Sequence, residues 1–220
     1  MTKLAVKAAI FDMDGLLIDS ERIIMQACIQ AAKDIGITYS QAEFVELIGR
    51  SSKDASRIMA EQLNGTENVA KMGQGVEAIL KARNHVFPLK SGVVELLQYY
   101  QANKVVCSVA SSSPIAHIEH RLSCVGVLQY FSSITSGQEV TNGKPSPDIY
   151  LLAIERLGVA IDECVAFEDS EPGARAAIAA GLKVVVVPDL KDPSEFVLEN
   201  SHQVMGSLDA YLAQFAECTL

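Results

Sequence analysis

The chain has 220 residues, 49% of them hydrophobic, with a mean hydropathy of +0.21. That is ample apolar material for a core, in one or two domains. A formal net charge of −9 and a sequence pI of about 4.9 argue against nucleic acid or an anionic membrane surface as partner, and any phosphate-handling site must bring its own local cations.

No apolar stretch is long enough to span a membrane. Lys3 and Lys7 flank only a short apolar run that ends in two aspartates, which is no signal peptide. The five cysteines are odd in number and show no Cys-x-x-Cys spacing, which fits a reduced, cytoplasmic setting. Cys107 and Cys164 sit in apolar runs and read as small core residues.

In chain order, residues 6–11 read as a buried strand that runs into Asp12 and Asp14. A helix over 20–36 follows, with Ser20 as its N-cap and Gly36 near its end. Helical stretches come next at 40–48, 52–63 and 67–84, punctuated by Gly49, Asn64-Gly65 and Pro88, with no convincing strand among them. After Pro88 the pattern alternates. Helices are predicted over 92–101, 114–125, 146–157, 172–180 and 207–216, and strands over 104–110, 131–135, 163–167 and 183–187.

Strands alternating with helices indicate an α/β fold with a doubly wound parallel sheet. An insert of roughly 65 residues after the first strand is too long for a plain crossover. The expected domains are an α/β core, residues 1–19 and 89–220, and an all-helical cap, residues 20–88. In open parallel sheets ligands bind at the carboxyl ends of the strands. There are no internal repeats and no low-complexity segments.

Four strands end in, or lead into, polar residues: Asp12 and Asp14, then Ser111-Ser112-Ser113, then Lys144 in Asn142-Gly143-Lys144-Pro145, and Glu168-Asp169-Ser170. Each has an ordinary structural explanation. Asp-x-Asp-Gly occurs in turns, the serines and the second acid pair can cap the helices that follow, and a lone lysine is commonly a surface charge. A parallel sheet, however, brings all four groups to one edge, where they suit phosphoryl transfer. Asp12 and Asp169, with Glu168, can hold Mg²⁺, a hard cation that takes carboxylate oxygens. Lys144 neutralises the nucleophile and the phosphate oxygens, and Ser111 with backbone N–H groups near Asp14 and Ser112 binds the transferring group. One carboxylate attacks phosphorus while the other protonates the leaving oxygen and later deprotonates water.

These residues resemble the haloacid dehalogenase superfamily, in its phosphatase and phosphomutase branch, over essentially the whole chain. The four family motifs are matched in order by Asp12-Met13-Asp14-Gly15, by Ser111, by Lys144 in Gly143-Lys144-Pro145, and by Glu168-Asp169-Ser170. The resemblance implies a Rossmann-like core and a Mg²⁺-dependent phosphatase of small phosphorylated metabolites, with sugar phosphates foremost. In it Asp12 is the nucleophile that forms an aspartyl phosphate, and Asp14 is the general acid/base. In it the metal is held by Asp12, the Asp14 backbone carbonyl and Asp169; Glu168 joins the candidate metal set on the reading of the residues alone. The resemblance also implies that the Lys144–Pro145 peptide can be cis.

An acid at position 14 points away from dehalogenases and phosphonatases of this superfamily and toward phosphate esters. Where the β-phosphoglucomutase branch carries a histidine in the helix after the first motif, this chain has Ile24, so hydrolysis is preferred over a mutase reaction. The mutase arginine falls near Ser52, with Arg50 and Lys53 close enough to substitute. Glu21 and Arg50, at the expected mouth of the cap, are candidates for substrate selection. A single copy is the expected state. A signalling receiver domain also uses aspartate, Ser/Thr, lysine and an acid pair, but it has them on other strands and lacks such an insert; an inactive relative used for binding is a further alternative. His117 and His120 stand three apart on one helix with no evident third metal ligand.

Overall fold

The computed structural model describes residues 6–48 and 52–216. The chain divides into two compact units, one of Met1–Ile18 with Pro88–Leu220 and the other of Asp19–Phe87.

The second unit has no strand among its described residues. It consists of α1 (Ser20–Asp34), α2 (Gln41–Leu47), α3 (Ser52–Gln62) and α4 (Thr66–Ala82). Cys28, Ala31, Ala32, Tyr39, Leu63 and Met72 form its core, with Ile24 and Phe44 packed against them. Ser40 starts α2 with a capping box: its hydroxyl accepts from the Glu43 N–H at 3.3 Å, and its own N–H donates to the Glu43 carboxylate at 2.7 Å. The cap of α1 departs from expectation. Asp19, not Ser20, is the N-cap, and it makes no side-chain capping bond. Ser20 has turned inside the first turn of the helix, and its hydroxyl is fully buried.

The first unit is a six-stranded, all-parallel sheet in the order β3-β2-β1-β4-β5-β6. Its strands are β1 (Ala8–Phe11), β2 (Val106–Ser111), β3 (Phe131–Ser136), β4 (Cys164–Glu168), β5 (Lys183–Val186) and β6 (Gln203–Val204). The helices are α5 (Val93–Ala102), α6 (Ile115–Cys124), α7 (Asp148–Leu157), α8 (Glu171–Ala179), α9 (Glu195–Asn200) and α10 (Leu208–Ala216). This is the Rossmann strand order, and its direction of winding reverses between β1 and β4.

The period-2 alternation of a strand sorts the side chains onto the two faces. On one face Ala8 and Ile10 pack with Cys164, Ala166, Ile149, Tyr150, Ala174 and Ala177, which belong to β4, α7 and α8. On the other, Phe11 and its register partner Phe167 stack with ring centroids 4.7 Å apart, flanked by Tyr100 of α5 and Tyr211 of α10. Two elements absent from the sequence reading complete the far edge: α9, capped by Ser194, and the two-residue β6.

Candidate active site

Register alone brings the first two acids together. β1 and β4 pair Ile10 with Ala166 and Phe11 with Phe167, so Asp12 lies beside Glu168 just past the last pair. The Asp12 N–H donates to the Phe167 carbonyl at 3.0 Å, and both carboxylates share the face of Ile10 and Ala166. Lys144, from the β3–α7 connection, reaches between them. Its ammonium donates to Asp12 Oδ1 at 2.5 Å, to Glu168 Oε1 at 2.5 Å and to the Ala110 carbonyl at 3.1 Å. The Lys144–Pro145 peptide is cis, as the resemblance implied. All three charged side chains are nearly sealed from water, at 7% exposure for Lys144, 9% for Asp12 and 0% for Glu168.

Glu168 spends both oxygens on donors. Oε1 accepts from Lys144 and from the Tyr150 hydroxyl at 2.6 Å. Oε2 accepts from the Asp169 and Ser170 N–H groups at 3.2 and 3.4 Å and from the Ser170 hydroxyl at 3.0 Å. Tyr150 was absent from the sequence reading, where a tyrosine on an apolar helix face reads as core. Burial and the nearby carboxylate hold its pKa well above the usual tyrosine value, so it stays neutral and donates.

One ammonium serving two carboxylates leaves charge over. Burial, opposed by Lys144 and reinforced by Glu168, pushes the Asp12 carboxyl up to about 8. Burial works against the Lys144 charge, but the two carboxylates outweigh it and raise that pKa. Asp169 adds a third carboxylate. One oxygen each from Asp12, Glu168 and Asp169 lies within 4.8 Å of the others, and all three residues are buried. Glu168 already spends both oxygens on donors, so Asp12 and Asp169 are the members of this group suited to a hard divalent cation.

The loop after β1 is shaped to the same cluster. Gly15 adopts φ +86°, and a Cβ there would collide with the Asp169 carboxylate, so only glycine lets the backbone pass so close. Asp14 lies on this loop, and each of its oxygens meets a donor. Oδ1 accepts from Arg121 Nη1 at 2.8 Å and Oδ2 from the Ser113 hydroxyl at 2.9 Å. Sequence reasoning passed over Arg121 and took Ser113 only as part of the serine group at the end of β2. Arg121 reads as an ordinary last-turn helix charge, and Ser113 as the third of three serines.

Ser111 ends β2, fully buried, and its hydroxyl accepts from the Ser113 N–H at 3.1 Å. Ser112 follows on the exposed side of the loop. The first unit thus brings together Asp12, Asp14, Ser111, Ser112, Lys144, Glu168 and Asp169. Glu21 belongs to the other unit, in the first turn of α1. Arg50 lies outside the described residues.

A family model described as Haloacid dehalogenase-like hydrolase matches residues 9–187. The chain is similar to Phosphorylated carbohydrates phosphatase of Thermotoga maritima, at 32% identity over 85% of this chain and 88% of the relative. It is also similar to the Drosophila melanogaster protein named Probable pseudouridine-5'-phosphatase, at 34% identity over 92% of this chain and 90% of the relative. Among solved structures, a Thermotoga maritima protein provisionally assigned as a beta-phosphoglucomutase superposes with a TM-score of 0.78. It is 27% identical, over 98% of this chain and 100% of that one.

Proposed function

Because this chain belongs to the haloacid dehalogenase-like hydrolase family, we propose that Asp12 is the nucleophile and Asp14 the general acid/base of a phosphatase acting on small phosphorylated carbohydrates. The chain is a phosphoric monoester hydrolase, and the carbohydrate preference rests on the names of its relatives. The observation that carries the assignment of roles is the salt bridge of 2.5 Å between Asp12 and Lys144. It puts an attacking carboxylate under a fixed cation at the carboxyl end of β1, with a second carboxylate two residues on.

The Asp12 oxygen attacks phosphorus while the P–O bond to the leaving group breaks and Asp14 delivers a proton to that oxygen. In the second half Asp14 takes the proton of the water that displaces Asp12 from phosphorus. Lys144 offsets the negative charge shared by Asp12 and the phosphoryl oxygens, and its bonds to Glu168 and the Ala110 carbonyl fix its direction. Ser111, Ser112 and the neighbouring N–H groups receive the phosphoryl oxygens. Asp12 and Asp169, with the Asp14 carbonyl, would hold Mg²⁺, which when bound would neutralise phosphate charge. Glu168, saturated with donors, positions Lys144. The helical unit, residues 19–87, serves as the cap that selects the ester, with Glu21 and Arg50 as contributors. The buried thiols fit a reducing, cytoplasmic setting.

Hydrolysis is preferred over a mutase reaction because Ile24, at the position of the mutase histidine, packs its side chain against the core of the helical unit and offers no proton-transfer group. A phosphate-release screen with Mg²⁺, over hexose, pentose and nucleotide monophosphates, tests this reading. Stoichiometric phosphate with no isomerised sugar phosphate is expected, and Asp12→Asn abolishes release. Full activity in Asp12→Asn, or isomerisation without net phosphate, overturns it.

A further inference from the structure

Arg121 is unusual for a helix charge. It stands in the last turn of α6, where an arginine ordinarily faces water or the final carbonyls of its own helix. Here its neighbours Ile118 and Leu122 are fully buried and its own side chain is only 13% exposed. Its Nη1 reaches Asp14 Oδ1 at 2.8 Å, 107 positions away in sequence. Ser113 completes a small network: its hydroxyl donates to Asp14 Oδ2 at 2.9 Å and lies 3.5 Å from the same guanidinium nitrogen. Ser113 is itself held, its N–H donating to Ser111 Oγ at 3.1 Å and its carbonyl accepting from the Ser136 hydroxyl at 2.7 Å.

The two oxygens of Asp14 therefore face chemically different partners. A guanidinium is donor only, so the oxygen beside Arg121 can only accept and cannot carry a proton toward it. A hydroxyl can donate or accept by rotating, so the oxygen beside Ser113 can hold a proton or give it up without losing its partner.

We propose that Arg121 is a positioning residue for the general acid, locking Asp14 Oδ1 as an acceptor so that Oδ2, attended by Ser113, is the oxygen that carries the transferred proton. This rests on the reading of Asp14 as general acid/base. As phosphorus becomes bonded to Asp12 and the P–O bond to the leaving group breaks, the proton moves from Oδ2 to the departing oxygen and Ser113 turns to donate to the new carboxylate. The Arg121 bond persists through both protonation states.

The leaving group provides the test. Expulsion of p-nitrophenolate needs little protonation, whereas expulsion of a sugar alkoxide depends on it. The quantity to measure is kcat/KM, which reports only the steps up to transfer of the phosphoryl group to Asp12, for p-nitrophenyl phosphate and for the best alkyl phosphate from the screen.

Arg121→Met is expected to lower kcat/KM for the alkyl ester by about 10- to 100-fold and to leave the aryl ester within about 3-fold. Ser113→Ala, a smaller change that spares the fold, is expected to show the same leaving-group dependence, and Arg121→Lys to recover part of the alkyl activity. Equal losses of kcat/KM on both esters overturn the role of Arg121. Asp14→Asn is the reference: a selective alkyl loss in that variant alongside uniform losses in Arg121→Met defeats this inference only. A uniform loss in Asp14→Asn defeats the general-acid reading beneath it as well.

Discussion

Glu168 accepts five hydrogen bonds, with Lys144, Tyr150, the Asp169 and Ser170 N–H groups and the Ser170 hydroxyl on its two oxygens. A fully buried carboxylate needs that many donors, since each one left out exposes charge to a medium that cannot solvate it. Tyr150 is the donor most easily removed without disturbing packing. Tyr150→Phe is expected to lower stability by about 2 kcal/mol, the scale of a buried hydrogen bond to a charged group. Urea unfolding measures this, and a change under about 0.5 kcal/mol contradicts the assignment. Tyr150 was hard to read from sequence because an aromatic on an apolar helix face signals core. The available clue was its hydroxyl, which when buried requires a partner. Arg121 was missed for the opposite reason: a charged residue on a helix signals solvent, and only the fold shows its guanidinium turned onto the loop after β1.

The junction of β4 with α8 shows how an element can be tuned to one side chain. Ser170 caps α8, its hydroxyl accepting from the Gly173 N–H at 3.2 Å, and Pro172 occupies the first turn. A Cβ at Gly173 would run into the Glu168 carboxylate. Within a helix, glycine to alanine ordinarily gains roughly 0.5–1 kcal/mol. Here the methyl group meets a carboxylate pinned by five donors, and overpacking of about 1–3 kcal/mol exceeds the helix gain. Gly173→Ala is therefore expected to destabilise by about 1–2 kcal/mol and to reduce phosphate release by displacing the partner of Lys144. A gain in stability measured by urea unfolding rejects this account of the close approach. The Val- and Ala-rich runs of β1, β2, β4 and β5 were legible because strands buried on both faces read as continuous apolar segments. α9 and β6, at six and two residues, are too short to develop a periodic signal. The cap of α1 was misread because serine favours the N-cap by composition, while the backbone begins that helix one residue earlier.

Over the whole molecule, an anionic chain of net charge −9 gathers buried acids at the point where the winding of its parallel sheet reverses, beside the ends of β1 and β4. The strand order creates that point, and three buried carboxylates there face one lysine. This couples stability to pH and to metal. Burial, with Glu168 beside it, pushes the Asp12 carboxyl of the folded chain up to about 8, against about 3.9 in the unfolded chain. Between those values the folded form binds more protons than the unfolded form, so this group's contribution to stability falls as pH rises from about 4 to about 8. A divalent cation bound by the Asp12 carboxylate would displace that proton, and its stabilisation would grow with its occupancy of the folded form. Mg²⁺ is therefore expected to raise the melting temperature more at about pH 8 than at about pH 6, with the difference diminished in Asp169→Asn. Thermal unfolding with and without Mg²⁺ at the two pH values measures this. An equal shift at both would mean that the cation does not compete with the proton on Asp12, and would place it elsewhere than between the ends of β1 and β4.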